Sequence, residues 1–224
     1  QLDKKMDAVL KAIGNINTAS KNTDKSKQQN KRKPSDPNYV HKIDQGNSMF
    51  IGNPDAKVTV TEFFDFQWPY CAKAIGTIDE IMKKYPNDVK FVLKNGPRGN
   101  LDESNTKYIA ALYAVAAGQQ GKYFEMSHKM FEKNNNSKLK KDPKFAIQLA
   151  KELGLNIEQF SSDYKSAKVR DLVAGEKQQF ADLREQGMAR LGVPKFLING
   201  KEPQGRRSIE GWSAIIEAEL IKKN

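Results

Sequence analysis

Four consecutive residues carry the chemistry legible in this chain: Trp68-Pro69-Tyr70-Cys71, placed directly after the apolar run from Val58 to Phe66. The pattern is that of a C-x-x-C redox site at a strand-to-helix junction, with tryptophan standing where the first cysteine is expected. In a two-cysteine site an exposed thiolate attacks a client sulfur and a second thiol resolves the mixed disulfide. Cys71 is the single cysteine among 224 residues, so no disulfide can close within the chain. Tryptophan is neither nucleophile nor thiolate, and its indole N–H only donates. Two readings of Trp68 stay open: a broad apolar anchor for a peptide on the lip of a groove, or packing as core or lid. Cys71 also has two, a small buried side chain of low reactivity or a lone nucleophile forming mixed disulfides with clients.

The elements that must position these residues are readable from periodicity. Val58 to Phe66 is β-branched and aromatic, as a central strand covered on both faces would be. Pro69 suits the first turn of the next helix, and Cys71, Ile75, Ile78 and Met82 predict one buried stripe along it. Tyr85-Pro86-Asn87-Asp88 ends that helix and Val89 to Leu93 forms the next strand, giving a right-handed parallel strand, helix, strand unit. From Ser104 to Arg190 the pattern is helical, broken at Gly118 to Gly121, at an Asn134-Asn135-Asn136 turn, at Asp142-Pro143 and at Gly154. Lys195 to Ile198, the turn Asn199-Gly200 and a last short strand then read as a hairpin, closed by a helix from Gly211 to Lys222. The fold class is α/β.

Lys and Arg number 38 against 27 Asp and Glu, a net charge of +11 that suits nucleic acid, an anionic membrane surface or a basic exterior. His41 and His128 are far apart and there is one cysteine, so neither a metal cluster nor a cofactor is expected. No apolar stretch approaches the roughly 18 residues of a membrane span. A first residue of Gln rather than Met is expected of a trimmed chain, with any export leader already removed. Leu2, Met6, Val9, Ile13 and Ile16 form the apolar seam of an amphipathic helix over residues 1–16, either a homo-oligomerisation helix or a surface helix docked on its own domain. Residues 17–38 contain six basic and two acidic residues and no Val, Ile, Leu, Phe, Tyr or Trp, the composition of a basic flexible linker. Without interleaved aromatics it offers no sequence-specific nucleic-acid recognition, although it supports an alternative role as a binder of anionic polymers.

Three segments carry a family resemblance. Glu62 to Cys71 (EFFDFQWPYC) is similar to the active-site segment of the DsbA family of thiol:disulfide oxidoreductases, Gln120 to Met126 resembles its helical insertion, and Gly192 to Gly200 resembles its cis-proline loop and following strand. The resemblance implies a thioredoxin fold over residues 39–224 with a helical insertion at about 101–187, residence in the periplasm or export, and a groove for extended client polypeptides. The amino-terminal helix resembles the stalk of the oligomeric suppressor-of-copper-sensitivity relatives. Carried over by position, Pro194 is the cis-proline, Val193 offers its backbone to a client, and Trp68, Pro69 and Tyr70 complete the client-binding face. Cys71 and Glu62, the latter at the family's buried acid, are the catalytic candidates. Trp68 departs from the family where its nucleophile falls, and the glycine-rich Lys94 to Asn100 departs where a bulkier apolar loop is usual. The expected function is therefore client binding with impaired redox chemistry; a monothiol oxidoreductase or isomerase using Cys71 is the alternative.

Overall fold

The computed structural model describes residues 36, 38–205 and 208–222. The expected helix over 1–16 and, but for Asp36 and Asn38, the linker over 17–38 lie outside the described residues. Four strands form one sheet: β1 (Met49–Gly52), β2 (Val58–Phe64), β3 (Val89–Asn95) and β4 (Lys195–Ile198), in the order β1-β3-β2-β4. β2 and β3 are parallel, while β1 on β3 and β4 on β2 are antiparallel. The two central strands are buried at nearly every position, as strands covered on both faces must be.

Helix α1 (Pro69–Lys84) makes the crossover between the parallel pair. Pro69 occupies its first turn, where the missing N–H costs nothing; Lys83 and Lys84 lie in its last turn, at the negative end of the dipole. Six helices follow between β3 and β4: α2 (Thr106–Gly118), α3 (Tyr123–Phe131), α4 (Lys133–Lys141), α5 (Phe145–Glu152), α6 (Ile157–Asp163) and α7 (Ala167–Asp182). α2 is buried almost all round, from Tyr108 to Ala117, so it is the core of the helical layer rather than an amphipathic cover. α8 (Ile209–Leu220) closes the described chain and seats Trp212 edge-on against Phe196 of β4, ring centroids 4.5 Å apart.

Several sequence expectations are corrected. The Asn134-Asn135-Asn136 turn is helical, within α4, because the asparagine amides find partners outside their own backbone: Asn135 Nδ2 donates to Lys129 O and Glu132 Oε2, and Asn136 Nδ2 to Met130 O and Phe66 O. The buried line of α1 runs through Cys71, Ile78 and Ile81, while Ile75 and Met82 are half-buried at its margin. The turn Asn199-Gly200 forms with positive φ at both residues, and a Cβ on Gly200 would stand 2.7 Å from His41 O. The strand expected after it shrinks to one bridge, Ile198 to Lys201, since Pro203 can donate no ladder hydrogen bond. The last helix spans Ile209–Leu220 rather than 211–222, capped by Ser208 Oγ accepting from Gly211 N. β1 was not foreseen: it is a four-residue edge strand whose Phe50 and Ile51 are exposed, so it carries no burial signal.

Candidate functional site

Antiparallel pairing sets Phe63 opposite Lys195, so the end of β2 and the start of β4 meet at one edge of the sheet. The chain leaves β2 there into Trp68, and reaches β4 there from Val193 and Pro194, whose peptide bond is cis. Asp65 shapes the exit: its carbonyl accepts from Trp68 N at 3.0 Å and its buried Oδ1 accepts from Gln67 N at 2.8 Å. Its Oδ2 receives Arg98 N at 3.4 Å and lies 3.9 Å from Lys107 Nζ. Gln67 Nε2 donates to Thr106 Oγ1 at 3.0 Å, and Gly96 N donates to Phe64 O at 2.7 Å. The motif loop is thus tied to the Gly96–Asn105 loop, which carries Arg98 to the motif.

Trp68 is the N-cap residue of α1, makes no side-chain cap, and has no acidic residue after it in the first turn. Its indole is half-buried against the core, with the Arg98 guanidinium carbon 5.1 Å from the ring and the Tyr70 ring 5.7 Å away. Tyr70 is 60% exposed, and Lys73 Nζ stands 5.2 Å from its ring centre. A cavity of about 180 Å³ opens beside this row, lined by Tyr70, Lys73 and Thr77 of α1 and by Pro194, Phe196 and Trp212. Of the sequence-predicted residues, Tyr70 and Pro194 therefore share one cavity. Pro69 is exposed at the helix start, and Val193 is buried beside Pro194.

Cys71 sits one turn into α1 with only 1% of its surface exposed, its N–H donating to Trp68 O at 3.0 Å. Glu62 lies on β2, also buried, between Leu93 and Phe196 in register. Sequence reading missed the buried polar cluster on the other side of the sheet's centre. Lys94 Nζ, fully enclosed, donates to Asp44 O and Ser48 Oγ at 2.7 Å each. Glu176 Oε2 accepts from both N and Nδ2 of Asn95 at 2.7 Å. Burial pushes the Glu176 carboxyl up and the Lys94 ammonium down, each partly offset by the other's charge. The signals available were a lysine directly after the apolar Phe91-Val92-Leu93 of β3 and a glutamate in phase with Val169 and Val173 on α7; only the fold brings them together. Among the described residues no group of three or more His, Cys, Asp and Glu side chains gathers as a metal site, and no helix is long and apolar enough to cross a membrane.

A family model described as thioredoxin matches residues 44–218. The chain belongs to the thioredoxin family. Its fold is that of DsbA-type members of this family. A thioredoxin-like oxidoreductase from Silicibacter pomeroyi DSS-3 is 26% identical, covers 80% of this chain and 95% of its own, and superposes with a TM-score of 0.62. α-DsbA1 of Wolbachia pipientis, 17% identical, covers 80% of this chain and 92% of its own at a TM-score of 0.59. Among curated proteins, the chain is similar to Na(+)/H(+) antiporter NhaA 1 of Mycobacterium sp. strain KMS, with 28% identity over 169 residues. That match covers 74% of this chain and 26% of the relative, so this thioredoxin-family chain spans about a quarter of the curated relatives it matches.

Proposed function

We propose that this thioredoxin-family protein binds extended client polypeptides in the cell envelope and does not catalyse dithiol exchange. The observation that carries the reading is the pairing of an indole at the N-cap position of α1 with a lone, enclosed Cys71. The attacking sulfur of a C-x-x-C cycle has no counterpart, and the remaining sulfur is withdrawn from solvent. The client face comprises Trp68, Pro69 and Tyr70 opposite Val193 and Pro194, with the cavity at Phe196 and Trp212 receiving one apolar side chain. Placement in the envelope rests on the resemblance of the motif segments to the DsbA family. Glu62 is then a structural residue rather than a proton relay. The helical segment between β3 and β4 is an insertion into the thioredoxin core, and the seam Leu2, Met6, Val9, Ile13 and Ile16 makes the protein a homo-oligomer.

The test uses the full chain in two assays. Insulin reduction in the presence of dithiothreitol should stay at the uncatalysed rate, and a reduced, permanently unfolded polypeptide should bind with an affinity that falls on Tyr70→Ala. Catalysed turnover at the rates of two-cysteine family members refutes the redox half. Binding absent, or unchanged in the variant, refutes the client half.

A further inference from the structure

Arg98, Trp68, Tyr70 and Lys73 form a continuous row in which each cation lies over an aromatic ring and the two rings lie against each other. Neither cation has a salt-bridge partner among the described residues. Asp65 at the β2 exit and the two carboxylates of the loop that carries Arg98 have other partners. Asp65 is buried and takes Gln67 N, Arg98 N and Lys107. Asp102 Oδ1 accepts from Ser104 N at 2.9 Å and Ser104 Oγ at 2.5 Å, and Glu103 lies 3.6 Å from Arg170 Nη2. The cavity at the end of the row includes Lys73 and no carboxylate in its lining.

We infer that the polypeptide held at this face is acidic: an extended segment with an apolar side chain for the cavity and an adjacent Asp or Glu for Lys73 and Arg98. This rests on the client-binding reading above. The Arg98 guanidinium, over the indole and exposed, makes no salt bridge among the described residues, and a guanidinium's planar N–H fork matches a carboxylate in two-point contact. A lysine over Tyr70 is held near the cavity mouth with less freedom to lose on pairing. Opposite charge at the rim of an apolar pocket selects among partners more than it adds affinity, so the effect belongs in the ranking of peptides.

The experiment is fluorescence anisotropy with labelled eight-residue peptides, at pH 7 and low ionic strength, on the full chain. Each peptide has one central Phe flanked by Glu, Gln or Lys. The Glu peptide should bind roughly fivefold tighter than the Gln peptide, as two exposed pairs allow, and the Lys peptide weakest. Added salt should shrink the difference. The double variant K73E/R98E should reverse the order. The variant K151E/K165E, which changes net charge equally at exposed lysines of the helical layer, should preserve it. Should the charge-reversed protein fail to fold by circular dichroism, R98Q and K73Q should each reduce the preference about twofold. Equal binding of the Glu and Gln peptides, or an equal loss of preference in K151E/K165E, overturns the acidic preference and leaves client binding standing. Failure of every peptide to bind overturns the client reading itself.

Discussion

Trp68→Cys should convert this protein into a dithiol oxidoreductase. The new thiol would sit at the N-cap of a 16-residue helix that has no side-chain cap and no acidic residue in its first turn, so the dipole acts undiluted. A helix N-terminus together with the Arg98 charge stabilises an adjacent anion by about 1.4 kcal/mol, roughly one pKa unit. From an ordinary thiol near 8.5, that raises the thiolate share at pH 7 from about 3% to about 24%, an eightfold gain in the attacking species. Cys71 lies three residues on, one turn away, where it can resolve a mixed disulfide. Losing a half-buried indole costs about 1–3 kcal/mol, which a domain of this size should tolerate. Insulin reduction measures the gain, and absorbance of the thiolate against pH measures the shift. Two results refute the reasoning: native protein as active as W68C, or W68C inert although its two thiols form a disulfide.

Three further outcomes follow from the geometry. Cys71 should react with iodoacetamide at least 10³-fold more slowly in the native state than in denaturant, since reaching it requires opening the core; reaction as fast as a model thiol would favour the monothiol alternative. Glu176, whose folded pKa is raised, binds its proton more tightly in the folded state, so stability falls as pH climbs from the unfolded carboxylate value near 4.3 through the folded pKa, then stays level. Glu176→Gln keeps an acceptor for Asn95, and thermal melts at a series of pH values should show that fall flattened; an unchanged profile counts against the assignment. Phe196→Ala should cost about 3–5 kcal/mol, a melting-temperature drop of roughly 10 °C, by emptying the contact with Trp212; a drop under roughly 3 °C would falsify the packing described.

Much of the fold was legible because its signals are local. Val58 to Phe66, Pro69 and the Tyr85-Pro86 stop specify a strand, a helix start and a helix end within a few residues of each other, and β2, α1 and β3 stand where that reading puts them. The misreadings share one cause. Asn134-Asn135-Asn136 looks like a turn until the carbonyls of Lys129, Met130 and Phe66 are available to its amides. β1 exists only because β3 offers it an edge. Likewise the spacing of Cys71, Ile75, Ile78 and Met82 gives a face but not its centre, which shifts to Ile81 when α1 settles on the sheet.

The site divides the same way. That the chain has one sulfur, and that an indole precedes it by three residues, is covalent fact and needs no folding to establish. Whether that sulfur meets solvent, which cation stands over the indole, and which rings wall the cavity are matters of distance between residues as remote in the chain as Tyr70 and Trp212. Such distances are set by the antiparallel pairing of β2 with β4 and by burial of α2, not by any pattern within the motif. Periodicity reports which way a side chain faces; only packing decides what it faces.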